Sequence, residues 1–180
     1  MANHLVTGPP RSGKTTVLRR TAELLDRPVG GVVTPERRDG EGDPERADND
    51  ASGERVGFEC RDLLTGETAT IAHVDYDGPQ VGKYGVDVAA IDRVAVPAIE
   101  RATSEERVVL IDEVAPMQRH SDRFLDAVEA AFEGAVSVLA AVESGREGVV
   151  GEYKSRPDTT VWTVTPADRD ALPERLAGRL

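Results

Sequence analysis

The stretch GPPRSGKTT at residues 8–16 constrains this chain more than any other part of its sequence. It fits the pattern G-x-x-x-x-G-K-[ST] at every fixed position, with a short apolar run before it and a helical pattern after it. Glycines let backbone N–H groups crowd around a phosphate, and a helix that begins near Gly13 points the positive end of its dipole at the same place. The stretch therefore predicts a phosphate-binding loop between a strand and a helix.

Within this loop, two side chains have predicted tasks. Lys14 is placed to reach the β- and γ-phosphates of a nucleotide, and the Thr15 hydroxyl is placed to bind Mg²⁺, which bridges phosphate oxygens. The alternative is a glycine-rich turn with a solvated lysine, which is weakened because the chain has only three lysines. The predicted nucleotide-binding residues are Gly8, Pro9, Pro10, Arg11, Ser12, Gly13, Lys14, Thr15 and Thr16.

Apolar runs typical of strands alternate with helical patterns along the chain. Residues 107–111, RVVLI, indicate a strand that is buried on both faces of a parallel sheet. The alternation predicts an α/β fold with a mainly parallel sheet flanked by helices. The predicted strands cover 3–7, 29–34, 107–111, 135–142 and 160–164, and the predicted helices cover 14–25, 87–102, a segment capped by Ser121, about 146–153 and the chain from about Pro166 onward.

A region of different composition separates the second strand from the helix at 87–102. Residues 39–54 are acidic and show no hydrophobic periodicity, which predicts a solvated, flexible loop. Residues 55–72 then alternate around Thr65 and Gly66, which predicts a β-hairpin. We therefore expect a small β-hairpin insertion in the α/β fold.

Length, cysteine content and hydropathy limit the class of protein. The 180 residues suffice for one domain, predicted to span 1–180. Cys60 is the only cysteine, which excludes an intramolecular disulfide and a cysteine-built zinc site and fits a reducing compartment. The sequence shows no signal-peptide pattern and no run of about 18 apolar residues, so we expect a cytoplasmic protein without a membrane partner.

The charge balance is strongly acidic, with a formal net charge of −11, and 19 of the 22 basic residues are arginine. We hypothesise a salt-rich cytoplasm, because at 1 M salt the Debye length falls to about 3 Å and repulsion between carboxylates is screened. Equal stability in low and multimolar KCl would contradict this hypothesis and favour an ordinary acidic protein. In both cases a basic stripe for duplex binding is missing, so we expect no nucleic-acid partner.

Two acidic residues end the predicted strand VVLIDEV. Ligands of open α/β sheets bind beyond the carboxyl ends of the strands, so Asp112 and Glu113 should lie near the phosphate loop. Asp112 is then a ligand of Mg²⁺, directly or through water, and Glu113 is free to polarise a water for attack on the γ-phosphate. The alternative for Glu113 is a capping or solvated loop residue. The pattern favours a hydrolase.

Positive charge from outside the loop would also stabilise a γ-phosphate transition state. Most arginines of an acidic protein pair with surface carboxylates, so each candidate alone is more easily explained as structural. The candidates in predicted loops or element ends are Arg38, Arg146, Arg156 and Arg169. Trp162 is predicted to be a core residue, with stacking on a base as the alternative.

Further segments follow one another in the order of a known family. They are GGVVTPERR, RVGFE, VGKYGVDVAAIDRVAVPAIERA, VVLIDEVAPMQ and TPADRD. With these segments the chain resembles the THEP1-type nucleoside-triphosphatases over nearly its whole length, apart from the insert at 39–54. The resemblance implies a RecA-like P-loop core and slow, Mg²⁺-dependent hydrolysis of the γ-phosphate of several nucleoside triphosphates.

The resemblance also assigns roles to single residues. It implies that Lys14, Glu113 and Arg169 are catalytic, with Glu113 as the base and Arg169 helping to hold the nucleotide, and that Thr15 and Asp112 bind the metal. Arg38 also falls on a family arginine, whereas Lys83 and Tyr84 fall in a family segment whose role the chemistry does not reveal. Three positions depart from the family: Ala115 replaces Gly, Gln118 replaces Glu and Asp168 replaces Asn.

Three functions fit these observations. The leading one is hydrolysis of ATP, GTP, CTP and UTP without strict base choice, since the Asn-Lys-x-Asp signature for guanine is missing. The second is a nucleotide or small-molecule kinase, with residues 146–156 as a lid that excludes water. The third is a nucleotide-dependent switch whose loop at 39–54 orders on binding. Oligomeric state is not predicted.

Overall fold

The computed structural model describes residues 2–40, 53–145 and 147–180. Within these ranges, the strands are β1 Asn3–Thr7, β2 Val29–Val33, β3 Glu36–Arg38, β4 Arg55–Asp62, β5 Thr68–His73, β6 Gln80–Val81, β7 Tyr84–Val86, β8 Val108–Val114, β9 Val138–Val142 and β10 Thr159–Thr163. The helices are α1 Lys14–Leu24, α2 Val88–Ser104, α3 Asp122–Glu133, α4 Gly148–Ser155 and α5 Leu172–Ala177, with a 3₁₀ turn at Gln118–His120.

The described strands form one sheet with two halves. The parallel half has the order β10-β1-β9-β8-β2, so β9 separates the strand of the phosphate loop from the strand of the two acids. The antiparallel half continues from β2 through β4, β5, β7 and β6, and β3 pairs with β4. The α/β class and the parallel core are confirmed. The insertion contains the predicted hairpin, β4 and β5, and three further short strands.

Helices cover both faces of the sheet. Helices α2 and α3 pack on one face with the larger apolar cluster, and α1 and α5 pack on the other. Asp87 begins α2 by accepting a hydrogen bond from the backbone N–H of Ala90, and Ser121 begins α3 by accepting one from Phe124. Such N-caps satisfy backbone donors that the first helical turn leaves without partners. The predicted cap at Ser121 is confirmed.

Strand β8 shows why its sequence is almost continuously apolar. Val109 and Ile111 point into the cluster with α2 and α3, whereas Val108 and Leu110 point into the cluster with α1 and α5. Alternating side chains of a strand face opposite sides, so a strand covered on both faces needs apolar residues at every position.

Some boundaries differ from those that the sequence predicts. Residues 166–171 form turns, and the last helix begins at Leu172, one residue before Pro173. Strands β3, β6 and β7 have two or three residues each, too few for a period of two to be visible in the sequence. The predicted loop at 39–54 falls mostly outside the described residues, but at its ends the Asp39 N–H donates to the Glu54 carbonyl at 2.9 Å. None of the described helices is long and apolar enough to cross a membrane.

Candidate active site

The phosphate loop connects β1 to α1 in a compact turn. The Ser12 N–H donates to the Pro9 carbonyl at 3.1 Å, and Gly13 has a φ of 102°, in the left-handed region that favours glycine. At Gly8, a side chain would begin only 2.6 Å from the Ser12 hydroxyl oxygen and 3.2 Å from the Val164 carbonyl oxygen, so a larger residue would force the Ser12 side chain to move. The loop geometry thus explains the two glycines of the motif.

Lys14 and Thr15, the first residues of α1, bring the loop to the two acids. The Thr15 hydroxyl donates to Asp112 Oδ1 at 3.0 Å. Lys14 Nζ donates to the Gly8 carbonyl at 3.2 Å and lies 3.6 Å from Glu113 Oε1. Residues almost a hundred positions apart in the chain therefore meet at the carboxyl edge of the parallel strands, where the sequence places them.

A β-bulge sets the direction of the two acids. Ile111 is opposite Ala140 and Val114 is opposite Val142, so Asp112 and Glu113 together face the single residue between them on β9. A bulge of this kind bends the strand locally and changes the direction of its side chains. It can therefore present two successive acids to one site, although side chains normally alternate between faces.

The Asp112 carboxyl group is buried, and its environment suits a cation. Burial raises the pKa of this carboxyl to about 6, and the nearby Glu113 raises it too, while the Thr15 hydrogen bond and Lys14 lower it. A divalent ion would offset the cost of burying the charge. Mg²⁺ favours oxygen ligands and often uses one or two protein groups together with substrate phosphates. The Asp112 carboxylate and the Thr15 hydroxyl fit that requirement.

Of the predicted arginines that the structure describes, Arg169 lies beside the loop. Its side-chain Cδ lies 4.0 Å from the point where a side chain on Gly13 would begin. The backbone N–H of Arg169 donates to the Thr165 carbonyl. Arg156 lies at the opposite, amino edge of the sheet, where it pairs with Glu129 at 2.8 Å and with Asp158. That position does not suit the predicted contact with a γ-phosphate. Arg38 pairs with Glu36 in the antiparallel half, and Arg146 is outside the described residues.

A cluster at the ends of β1 and β9 was missed by the sequence reasoning. Lys154 Nζ donates to the Thr7 hydroxyl at 3.2 Å and to the carbonyls of Glu143 and Gly145. Thr7 also donates to the Glu143 carbonyl at 2.9 Å, and the Glu143 carboxylate pairs with Arg119 at 2.9 Å. The available signal was the position of Glu143, directly after a predicted strand, like the two acids.

Two clefts flank this cluster. One, of about 280 Å³, is lined by Thr7, Gly8, Pro9 and Lys154 among others. The second, of about 500 Å³, is bounded by Arg119, Glu143, Gly145, Glu147 and Gly148. The phosphate loop and the cluster therefore border open space on the edge where a ligand of a parallel sheet binds.

The positions that depart from the family pattern are engaged in local contacts. Gln118 is buried, and its Nε2 donates to the Thr34 hydroxyl at 3.1 Å, which ties the turn after β8 to the end of β2. The Asp168 carboxylate accepts from the Thr165 hydroxyl at 2.8 Å, within the turn that carries Arg169. Trp162 is partly buried and donates to His4 Nδ1 at 2.9 Å, as a packing residue would.

Lys83 and Tyr84 make their contacts within the antiparallel insertion. The Tyr84 hydroxyl accepts from Arg55 Nε at 2.9 Å, and Arg55 pairs with Glu36 at 2.8 Å. Lys83 pairs with Glu54 at the surface. These contacts join β3, β4 and β7 to one another, at a distance of several strands from the phosphate loop.

Comparisons with known proteins identify similar nucleoside-triphosphatases. A family model described as NTPase matches residues 3–177. Nucleoside-triphosphatase THEP1 of Thermofilum pendens is 44% identical, over 97% of this chain and 93% of that protein. Nucleoside-triphosphatase THEP1 of Methanothermobacter thermautotrophicus is 37% identical, over 93% of this chain and 90% of that protein.

Solved structures extend the agreement to the fold. The crystal structure of THEP1 from the hyperthermophile Aquifex aeolicus has a TM-score of 0.82 at 26% identity and covers 99% of this chain and 98% of that one. The solution structure of a human cancer-related nucleoside triphosphatase has a TM-score of 0.79 at 27% identity, with 99% and 97% covered. The fold, the phosphate loop and these matches together show that the chain belongs to the NTPase family, the family of the THEP1 nucleoside-triphosphatases.

Proposed function

We propose that this protein hydrolyses nucleoside 5′-triphosphates, among them ATP, GTP, CTP and UTP, to the diphosphate and phosphate in the presence of Mg²⁺. The observation that carries the proposal is the position of Glu113. It follows the acid that is bonded to Thr15, and its carboxylate lies 3.6 Å from Lys14 Nζ, beside the place of the phosphates. Once Lys14 contacts the phosphates instead, a carboxylate at that place is suited to activate water.

The chain's own residues account for the reaction as follows. Lys14 exchanges its contacts with Gly8 and Glu113 for the β- and γ-phosphates, which releases the Glu113 carboxylate. Thr15 and Asp112 would hold Mg²⁺, which would supply positive charge to the phosphate oxygens when bound. Glu113 accepts a proton from water while the water oxygen bonds to the γ-phosphorus. The bond to the bridging oxygen breaks, and its electron pair leaves with the diphosphate.

Arg169 and Asp168 bear on nucleotide binding and base choice. The closeness of Arg169 to Gly13 supports a role in holding the nucleotide and the charge that develops on the leaving diphosphate. The Asp168 carboxylate already accepts a hydrogen bond from Thr165 in its own turn. Because an ionised Asp accepts hydrogen bonds but donates none, it cannot make the donor contact that the family Asn could make. Broad base specificity is proposed from the missing Asn-Lys-x-Asp guanine signature.

Hydrolysis is favoured over phosphate transfer by the way α4 packs. A kinase lid at 146–156 must move to admit an acceptor and then exclude water. Instead, Val150 and Tyr153 of α4 are buried in the core, and Tyr153 stacks on Phe132 with ring centroids 4.9 Å apart. A helix anchored in this manner is poorly suited to open and close.

The test is phosphate release from each of the four triphosphates in high KCl with Mg²⁺, for the native chain and Glu113→Gln. We expect the native chain to use all four. The glutamine keeps the shape of the side chain but is a very weak base, so nucleotide binding should persist while kcat falls about 100-fold or more. Full activity of the variant would remove Glu113 from its role. Fast transfer to an added hydroxyl acceptor with negligible phosphate release would instead show a kinase.

A further inference from the structure

The lysines of this chain are unevenly used. The chain has three lysines against 19 arginines, and two of the three, Lys14 and Lys154, meet the end of β1. Lys14 Nζ donates to the Gly8 carbonyl. Lys154 Nζ donates to the side chain of Thr7, which directly precedes Gly8 in the chain. The Lys14 contact lies within the phosphate-loop motif. The Lys154 contact comes from α4, 147 positions after Thr7 in the chain.

Three oxygens of the described residues lie around Lys154, and their arrangement suits a lysine. An ammonium group carries three donors that point in tetrahedral directions, whereas the donors of a guanidinium group lie in one plane. The Thr7 hydroxyl and the carbonyls of Glu143 and Gly145 come from the ends of two strands and converge on Nζ. A compact ammonium can serve all three oxygens, and a planar fork is less suited to do so.

Contacts around this ammonium link the three strands that carry the site. Thr7 ends β1 and precedes the phosphate loop, and Glu143 follows β9. The Glu143 carboxylate pairs with Arg119, in the turn after β8 and its acids. Lys154 itself lies on α4, which the buried Val150 and Tyr153 anchor to the core. The ammonium is thus held by an anchored helix at the adjacent ends of β1 and β9.

We propose that Lys154 is a positioning residue for hydrolysis, holding the phosphate loop on β1 in alignment with Glu113 on β8 through the end of β9. The inference rests on the proposed function. The phosphate must be held on one strand while the water is activated from another, with β9 between them. Small misalignments of reacting groups cost large factors in rate. Loosening this junction should therefore slow turnover more than it weakens nucleotide binding.

The experiment compares Lys154→Met with the native chain and with Lys83→Met. Methionine has nearly the length of lysine without its charge, and Lys83 pairs with Glu54 in the antiparallel half, so it is a matched control. Measurements are kcat and KM for ATP, nucleotide affinity by titration with a fluorescent analogue, and thermal unfolding. We expect kcat to fall about 10- to 100-fold in Lys154→Met with affinity changed less than threefold, and Lys83→Met to resemble the native chain.

Two further variants separate positioning from folding. Thr7→Val removes one of the three oxygens and should lower kcat in the same direction. In the double variant with Lys154→Met, Thr7→Val should lower kcat by a smaller factor than it does alone. Both changes remove the same contact between Lys154 and the end of β1. Lys154→Arg keeps the charge and should recover only part of kcat. If Lys154→Met unfolds, Thr7→Val and Lys154→Arg still give the kcat and affinity comparison.

Several outcomes would overturn the inference. They are native kcat in Lys154→Met or Thr7→Val, full recovery in Lys154→Arg, and an affinity loss as large as the loss in kcat. The last would make Lys154 a direct phosphate ligand. Failure of the proposed function looks different, because the native chain would then release no phosphate from any triphosphate or Glu113→Gln would remain active.

Discussion

The two halves of the sheet both carry segments that resemble the same family, yet their side chains are used differently. In the parallel half, polar residues gather at the carboxyl edge of the strands, as Thr15, Asp112 and Glu113 do around the phosphate loop. In the antiparallel half, Glu36, Arg55 and Tyr84 bond to one another and hold short strands together. Similarity to a family therefore marks both chemistry and structure, and only contacts tell which is which.

The largest difference between the two halves should appear in kcat/KM when one lysine of each half is replaced by methionine. Lys14→Met removes the charge that meets the phosphates and should lower kcat/KM about 100- to 1000-fold, the range for loss of a preorganised charge-stabilising group. Lys83→Met should change it less than twofold, because Lys83 pairs with Glu54 at the surface. Steady-state phosphate release measures both. An equal loss in the two variants would remove the distinction between the halves.

A smaller effect, on stability rather than turnover, is expected at Asp62, at the end of β4. Its buried carboxylate accepts from the Leu64 N–H at 2.7 Å and pairs with Arg101 on α2. Asp62→Asn should lower the free energy of unfolding by about 2 kcal/mol, the scale for hydrogen bonds to a buried charge. Turnover per folded molecule should remain native. Urea unfolding provides the measurement, and the exposed Asp75 provides the control through Asp75→Asn.

The difference in unfolding free energy between the native chain and Asp62→Asn should depend on pH in a defined way. Burial by itself would raise the pKa of the Asp62 carboxyl, but hydrogen bonds from Leu64, Thr65 and Arg101 outweigh it and leave this pKa lowered. The folded state therefore gains stability from the ionised carboxylate above the unfolded pKa of about 4 and loses it as the pH falls through the lower folded pKa. The difference between native and Asp62→Asn should be constant near neutrality and shrink below about pH 4. A difference that grew on acidification would contradict this sign.

The smallest effect should follow Tyr84→Phe. The variant keeps the ring, which packs edge-on against Phe58 at 5.3 Å, and removes the hydroxyl that accepts from Arg55. We expect a loss of about 1 kcal/mol in the free energy of unfolding, typical of one hydrogen bond, with kcat unchanged. Tyr76→Phe, at a more exposed ring, should be neutral. A fall in kcat for Tyr84→Phe would connect the insertion to the chemistry after all.

The sequence predicted the parts of the fold that depend on local pattern. The phosphate loop, the double-sided burial of β8 and the cap at Ser121 follow from spacing and residue type within a few positions. The start of the last helix was set too early, because turn residues at 166–171 precede it without a clear break in polarity. The very short strands of the insertion escaped because they pair through contacts from outside their own segments.

For the candidate site, the chemical groups can be identified from the order of residues along the chain: a loop of glycines and a lysine, a hydroxyl next to it, and two acids after a buried strand. Local order suffices for this because strand ends of a parallel sheet share one edge. The way in which these groups meet follows from the three-dimensional fold. The insertion of β9 between β1 and β8, the bulge at the acids and the convergence of Lys154 on Thr7 and Glu143 all depend on contacts between distant segments. Such contacts leave no periodicity in a single sequence, because the hydrophobic pattern around each residue depends on its own helix or strand and not on its distant partner.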